Sequence, residues 1–224
     1  MNYLEKDLLR LASLFPVHAF SNPESAEFLL LENAKQGKEH AALLSEYPAV
    51  RAEPLEFFYL CLGGLGALDL PLLEQMRETG DWRAITWSAF FIALEPKREY
   101  LDFIGSVSCE DSRSGWMIDL AKAELGLREH DASRAPIAEC LAEIRALLHP
   151  ISRPGTPLRC SPSPVQELQM QKEKEEIQRV YRSAGSEAAA TAIEGTLSGY
   201  FAMDYLVWLG RGAPGPPPLA NAEG

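Results

Sequence analysis

The stretch "TGDWRAITWSAFFIALEP", residues 79–96, constrains the fold more than any other part of the chain. Asp81 is suited to cap a helix, and Arg83, Thr86 and Ser88 are the polar residues between that cap and the last leucine. A helix that is apolar on nearly every side is normally buried among other elements. With roughly 13 residues it is too short to span a bilayer. We therefore predict a central core helix here rather than an aromatic ligand box.

Helical patterns recur along the chain, whereas alternation with a period of two is rare, so we predict an all-α fold. Caps, breakers and apolar spacing place further helices at 3–14, from Asn22-Pro23-Glu24 onward, at about 53–66 and ended by its glycines, from Asp69 to about 79, at about 164–183 from a Ser163 capping box, and from Ser186 to Gly210.

Helix pairs follow one another at a loose interval in the first part of the chain. The predicted pairs lie near 53–79, 82–107 and 115–149, so their starts are 29 and 33 residues apart. Such spacing is typical of HEAT-like repeats stacked into a short array. An irregular helical bundle fits the same pattern, and both architectures remain open.

Composition divides the chain into four predicted regions. Residues 1–150 form an acidic helical-repeat domain, and residues 151–163 a Pro- and Ser-rich linker or loop. Residues 164–210 are predicted to form a helical hairpin packed on the main domain. Residues 211–224 have the composition of a disordered tail.

The charge is concentrated in the first of these regions. The formal net charge is −11, and residues 1–150, with 24 acidic and 14 basic side chains, account for −10 of it. Nucleic acid is excluded as a partner, because binding it requires basic side chains that displace counterions. The acidity serves either solubility alone or attraction of a basic protein partner.

The cysteines and the chain start indicate a cytoplasmic protein without a membrane segment. Cys61 and Cys140 lie in apolar helical patterns and are interpreted as reduced core residues. The N-terminus contains charged residues and no long apolar run, so we expect no secretory signal. The apolar segment near 193–208 is interrupted by Glu194 and Asp204, which argues against a transmembrane helix.

Known catalytic and cofactor motifs give no match, so we predict no enzyme activity, no catalytic residue, no metal and no cofactor. The glycine-rich "GGLGALDL" lacks the GxGxxG spacing and is interpreted as a helix terminator. Glu129-His130-Asp131 imitates part of an HD metal site, but a solvated loop is the simpler interpretation. Cys109 is a poor candidate nucleophile, because Glu110 and Asp111 raise a thiol pKa.

The core helix and the helix after it resemble an uncharacterised bacterial family of helical-repeat proteins. Trp82-Arg83, Trp87, Phe91-Ile92 and Phe103-Ile104-Gly105 carry this resemblance, which covers residues 72–107. Members of that family resemble immunity proteins encoded beside polymorphic toxins. The resemblance implies a helical scaffold and a toxin partner, and it transfers no binding residue.

We therefore expect a cytoplasmic immunity or antitoxin-like protein that binds and sterically neutralises a cognate, basic toxin domain. The carboxylates proposed to meet the toxin are Glu99, Asp102, Glu110 and Asp111, from the helix after Pro96 and the loop that follows it. Two alternatives remain: a helical scaffold or adaptor that self-associates through 164–210, and an enzyme with an unrecognised carboxylate site. The sequence does not fix the oligomeric state.

Overall fold

The computed structural model describes residues 2–108 and 115–219. Within these ranges the chain forms helices and no strand, which confirms the predicted all-α fold class. The α-helices are α1 Glu5–Leu14, α2 Pro23–Glu39, α3 Ala41–Ser45, α4 Glu56–Ala67, α5 Leu70–Glu78, α6 Trp82–Leu94, α7 Leu101–Ser106, α8 Gly115–Glu124, α9 Ala135–Leu148, α10 Pro164–Ile193, α11 Leu197–Ala202 and α12 Tyr205–Gly210. Short 3-10 helices lie at Val17–Ser21, Glu53–Leu55, Arg98–Tyr100 and Ala132–Arg134.

The chain divides into two compact units. Unit 1 ends at Leu158 and holds α1 to α9. Unit 2 begins at Arg159 and holds α10 to α12, together with Asn2 and Leu4 from the start of the chain. The boundary falls inside the segment 151–163 that the sequence predicts as a linker or loop, and this segment is free of helix.

Side-chain caps start three helices where the sequence predicts them. The Asn22 side chain accepts a hydrogen bond from the Ser25 N–H at 2.8 Å, at the start of α2. The Asp69 carboxylate accepts one from the Leu72 N–H at 2.8 Å, at the start of α5. Ser163 forms the predicted capping box of α10. These caps satisfy N–H groups that have no partner within their own helix.

Helix α6 is buried along most of its length, as expected of a core helix. Every residue from Thr86 to Leu94 is buried, and the hydroxyl of Ser88 donates back to the Ala84 carbonyl at 2.9 Å. At the start of α6 the Asp81 carboxylate accepts a hydrogen bond from the Arg83 N–H at 2.8 Å. Hydrogen bonds from the Arg83 guanidinium lower the pKa of Asp81 below its ordinary value, so the cap is charged at neutral pH.

Aromatic rings from α6 and the N-terminal segment pack together at the centre of unit 1. The Phe90 ring centroid lies 4.6 Å from that of Phe15 and 4.8 Å from that of Phe20. On the next side of the helix, the rings of Trp87 and Phe91 are 4.5 Å apart. Aromatic pairs at these separations add attraction beyond the area they bury.

Arg145 of α9 satisfies the C-terminal end of α6. Its Nε and Nη2 donate to the carbonyls of Leu94 and Ala93 at 2.8 and 2.9 Å. The same guanidinium lies 2.9 Å from Glu124 of α8, whose carboxylate balances the charge. A helix end inside a protein leaves carbonyls without intrahelical partners, so this arginine links α6, α8 and α9 at the point where they most need a donor.

Replacing this arginine should destabilise unit 1. Arg145→Met keeps most of the side-chain volume but leaves two carbonyls and Glu124 without their donor, so we expect the free energy of unfolding to fall by about 2–3 kcal/mol. The measurement is urea unfolding followed by tryptophan fluorescence. Arg51→Met is the control, because its ion pair with Glu56 is exposed and should contribute less than about 1 kcal/mol. Equal losses in the two variants would remove the special role of Arg145.

The glycines of α4 lie inside the helix and do not end it, which corrects the prediction made from "GGLG". Helix α4 continues to Ala67, beyond all three glycines. Gly64 faces α6, and a Cβ at this position would overlap the Phe91 ring. Its role is to allow α4 and α6 to approach closely, which a terminating glycine does not do.

The other two glycines of α4 receive the segment that follows α9. The Thr156 hydroxyl donates to the Gly63 carbonyl at 2.8 Å, and the Pro154 carbonyl lies where a Cβ of Gly66 would be. Arg153 of the same segment forms an ion pair with Glu95. The proline-rich chain up to Leu158 is therefore attached to unit 1 by several contacts.

A methyl group at Gly66 should push α4 away from the segment that contains Pro154. Gly66→Ala places its Cβ against a backbone oxygen that has no flexible side chain to move, so we expect a loss of about 1–3 kcal/mol in unfolding free energy. Gly105→Ala in α7 is the control: it has open space around it, so removing a helical glycine should stabilise by up to about 1 kcal/mol. Unfolding midpoints that move in the same direction for both variants would contradict this packing role.

In unit 2 the second arm of the predicted hairpin is broken, so the single helix predicted from Ser186 to Gly210 is wrong. Gly185 (φ 86°) interrupts α10, and Gly195 (φ 77°) follows its end, both in backbone conformations that favour glycine. New helices then start at caps, since Thr196 accepts from the N–H three residues on and Asp204 from the N–H two residues on. Thr196 and Asp204 are residue types that cap helices, but the continuous helical spacing of apolar residues around them favours a single helix.

A buried arginine organises unit 2. Arg159 is 2% exposed, and its guanidinium donates to the carbonyls of Tyr200 at 2.8 Å and Met203 at 2.9 Å. It also lies 5.2 Å from the centroid of the Trp208 ring, whose Nε1 donates to the Pro214 carbonyl at 2.9 Å. These contacts hold the first residues of the tail that the sequence predicts as disordered from residue 211.

No single helix in the described ranges is long and apolar enough to cross a membrane. The pair formed by Glu53–Ala67 and Leu70–Glu78 reaches that length and hydropathy only in combination, and it bends by 102°.

Candidate functional site

Two of the four predicted partner-binding carboxylates are described, and both are exposed. Glu99 lies in the 3-10 turn Arg98–Tyr100, and Asp102 lies in the first turn of α7. The sequence analysis placed both on one helix, whereas the structure places the turn before the helix. Glu110 and Asp111 lie outside the described residues, so the predicted four-residue patch stays a prediction.

Glu99 acts on the buried phenol beside it. Burial raises the pKa of Tyr100, and the negative charge of Glu99 raises it further, while Lys97 opposes both. The Lys97 ammonium lies 5.7 Å from the centroid of the Tyr100 ring and 3.0 Å from Glu95. The surface around Glu99 is therefore mixed in charge, and the two exposed carboxylates stand beside a lysine that is already paired.

A small pocket lies between α8 and the start of α9, which the sequence analysis treated as a solvated loop. Its volume is about 110 Å³. The ring of Trp116 forms one wall, with the guanidinium of Arg134 5.9 Å from its centroid. Arg128 is paired with Asp119 on the opposite wall. The cationic groups that line this pocket thus already have partners.

The Glu129-His130-Asp131 triplet lies on the rim of this pocket. Asp131 accepts the Ser133 N–H at 2.9 Å, and hydrogen bonding from Ser133 lowers the pKa of its carboxyl below the ordinary value. In residues 2–108 and 115–219, no three His, Cys, Asp or Glu side chains are arranged to hold a metal ion. The capping role of Asp131 is the local function that the geometry shows.

An exposed apolar pair on α2 was missed by the sequence analysis. Phe28 is 69% exposed and Leu31 is 53% exposed, and they lie three residues apart on the outer face of this helix. The run "FLLL", residues 28–31, contained the signal, because a helix with one buried face cannot bury four consecutive apolar side chains. Leu30 is the fully buried member of that run.

Carboxylates of the same helix flank this pair. On α2, Glu24 and Glu27 precede Phe28, and Glu32 follows it. The result is an apolar pair between acidic side chains of α2, with Lys35 one turn beyond Leu31.

Helix α9 packs along α2 and carries the buried thiol of Cys140. Burial raises its pKa, and the negative charges of Glu143, Glu27 and Glu139 raise it further. Lys38 opposes them and forms an ion pair with Glu143 at 2.7 Å. Cys140 is therefore a protonated core thiol, consistent with its predicted place in the core.

Unit 2 contains a wider, open cavity of about 540 Å³. Its wall is formed by the end of α10, by α11 and by the tail, with Tyr200, Met203 and Arg211 among the lining side chains. Glu173 of α10 accepts hydrogen bonds from the N–H groups of Leu197 and Ser198 at 3.3 and 2.9 Å, so it caps α11. These two hydrogen bonds hold α10 and α11 together within unit 2.

Comparison of the chain with protein-family models, curated proteins and solved structures gives no match. The resemblance carried by Trp82 to Gly105 therefore remains an expectation from the sequence.

Proposed function

We propose that this chain is a binding protein of the immunity or antitoxin type, which neutralises a basic toxin domain by covering its active site. The observation that carries the proposal is the uneven charge of the two units. Unit 1 contains 24 acidic and 15 basic side chains, a formal charge of −9, whereas unit 2 carries −2. A compact helical unit with this excess of carboxylates attracts a basic surface over a long range and repels an acidic one.

Exposed carboxylates that form no ion pair with another residue in 2–108 or 115–219 supply the contact groups. Glu99 and Asp102 are examples on α7 and the turn before it, and both lie at the surface of unit 1. Rim charges of this kind accelerate association and determine its salt dependence, while buried apolar anchors supply most of the affinity. Toxin domains that act on nucleic acid or nucleotides carry the complementary basic groups, so an acidic cover would compete with their substrate.

A scaffold function is the second candidate, and one observation favours it. The α10 helix exposes several large apolar side chains, with Val165, Leu168 and Tyr181 each more than half exposed. Such residues on a long helix are typical of a surface for self-association. Sedimentation velocity of the purified chain distinguishes the two: the neutralising function needs only a monomer, and the scaffold function needs a dimer that Leu168→Ser weakens.

The primary test is to look for a toxin-like protein encoded beside this gene and to measure its binding to the chain. We expect the chain to restore growth to cells that express that protein and to bind it with an affinity that falls as salt rises. Glu99→Lys with Asp102→Lys should weaken binding by about tenfold at low salt and flatten the salt dependence. The measurement is calorimetry at two ionic strengths, paired with the growth assay.

A control of equal charge separates local contact from net charge. Glu46→Lys with Glu53→Lys changes the same number of exposed carboxylates elsewhere on unit 1 and should leave affinity within about threefold. Failure of the wild-type chain to bind the neighbouring product, or to protect cells from it, would sink the proposed function. Equal effects of both double reversals would eliminate only Glu99 and Asp102 as the contact.

A further inference from the structure

We propose that the outer face of α2 is a docking surface for a basic, amphipathic helical segment of a protein partner. We call it the α2 face and define it by Phe28, Leu31, Glu24, Glu27 and Glu32. It deepens the proposed function, on which it rests for the nature of the partner as a basic protein. Its evidence is the exposed apolar pair and the charge around it.

The apolar centre is too exposed for an ordinary surface helix. Phe28 keeps 69% of its area in water and Leu31 keeps 53%, although Leu30 between them is fully buried. Residues three apart are neighbours on a helix surface, so these two side chains form one continuous patch. Covering them removes apolar area from water, and a Phe–Leu pair at this spacing is the kind of anchor that a facing helix packs against.

The charged residues around the apolar pair determine which kind of partner segment can bind. Glu27 and Glu32 flank the apolar pair on α2, and Glu24 lies one turn before Phe28. Lys35 lies one turn beyond Leu31 on the same face, and Lys38 is already paired with Glu143. The charge near the pair is therefore negative, and a partner with lysine or arginine on both sides of an apolar stripe fits it.

A second copy of the chain fits this face less well. Two antiparallel α2 helices that bring Phe28 opposite Leu31 of the other copy would bring Glu27 opposite Glu32, but also Glu24 opposite Lys35, so these pairs offset each other. The net charge disfavours a second copy, because two units of charge −9 repel each other before they meet. The basic segment does not have this cost.

The test uses the full chain and two synthetic 18-residue probes, one of leucine and lysine at helical spacing and one of leucine and glutamate. Fluorescence anisotropy should show binding of the basic probe and none of the acidic probe. Phe28→Ser with Leu31→Ser should lower the affinity for the basic probe by at least about tenfold, because the apolar anchor is lost. Glu27→Gln with Glu32→Gln should weaken its binding mainly at low salt. Circular dichroism should be unchanged in both, since the replaced groups are exposed or flank the exposed pair.

Leu127→Ser is the matched control, because Leu127 is 48% exposed in unit 1 and lies outside the α2 face. It should leave the affinity within about twofold. The proposal is overturned if Phe28→Ser with Leu31→Ser binds the basic probe as tightly as wild type. It is also overturned if wild type forms a dimer that this double variant abolishes, since the face then belongs to a second copy.

The two proposals fail in different ways. Probe binding that depends on Phe28 and Leu31, with no binding of the neighbouring gene product, supports the α2 face and removes the toxin partner. Neutralisation of that product by wild type and by the Phe28 and Leu31 variant alike removes the α2 face and keeps the function.

Discussion

The first unit depends on the burial of α6, a helix with apolar side chains on nearly every side. Such a helix contributes a large apolar area, but it also carries unpaired backbone groups at both ends into the interior. At the start of α6 the Asp81 carboxylate accepts a hydrogen bond from a backbone N–H, and at the end of α6 Arg145 donates to two carbonyls. Because Arg145 also pairs with Glu124, the solution to one helix end fixes the positions of α8 and α9.

Fixing α9 in this way has a consequence for the surface. Helix α9 packs along α2, and Glu143 of α9 forms an ion pair with Lys38 of α2, so the position of α9 also holds α2 in place. The same packing that buries Leu30 turns Phe28 and Leu31 outward. The core of unit 1 holds the outer helices rigidly, and a rigid surface loses less conformational entropy when it binds a partner.

The sequence was informative where the determinant is local. The caps Asn22, Asp69, Asp81 and Ser163 act on N–H groups two or three residues away, so residue type and spacing predict them. It was misleading where a residue serves a distant neighbour. The α4 glycines accommodate Phe91 and Pro154, and a local reading makes them terminators.

The candidate site divides in the same way. Glu99 and Asp102 are both exposed, one in the turn before α7 and one in its first turn, and their contact with a partner stays a prediction. The α2 face was missed, because the run at 28–31 does not show which of its apolar side chains other elements cover, and tertiary packing decides that. Arg145 and Arg159 were missed for the same reason: each satisfies carbonyls 41 to 52 residues away, and nothing in an isolated arginine indicates which carbonyls it will meet.

Native-state hydrogen exchange of the α6 amides tests the central claim most directly. If α6 is the element around which unit 1 is built, the amides from Phe90 to Leu94 exchange only when the whole unit unfolds, and their opening free energy equals that of global unfolding. The amides of the exposed first half of α10 exchange through smaller, local openings. Exchange of the α6 amides at rates like those of α10, while the unit stays folded, would contradict the account.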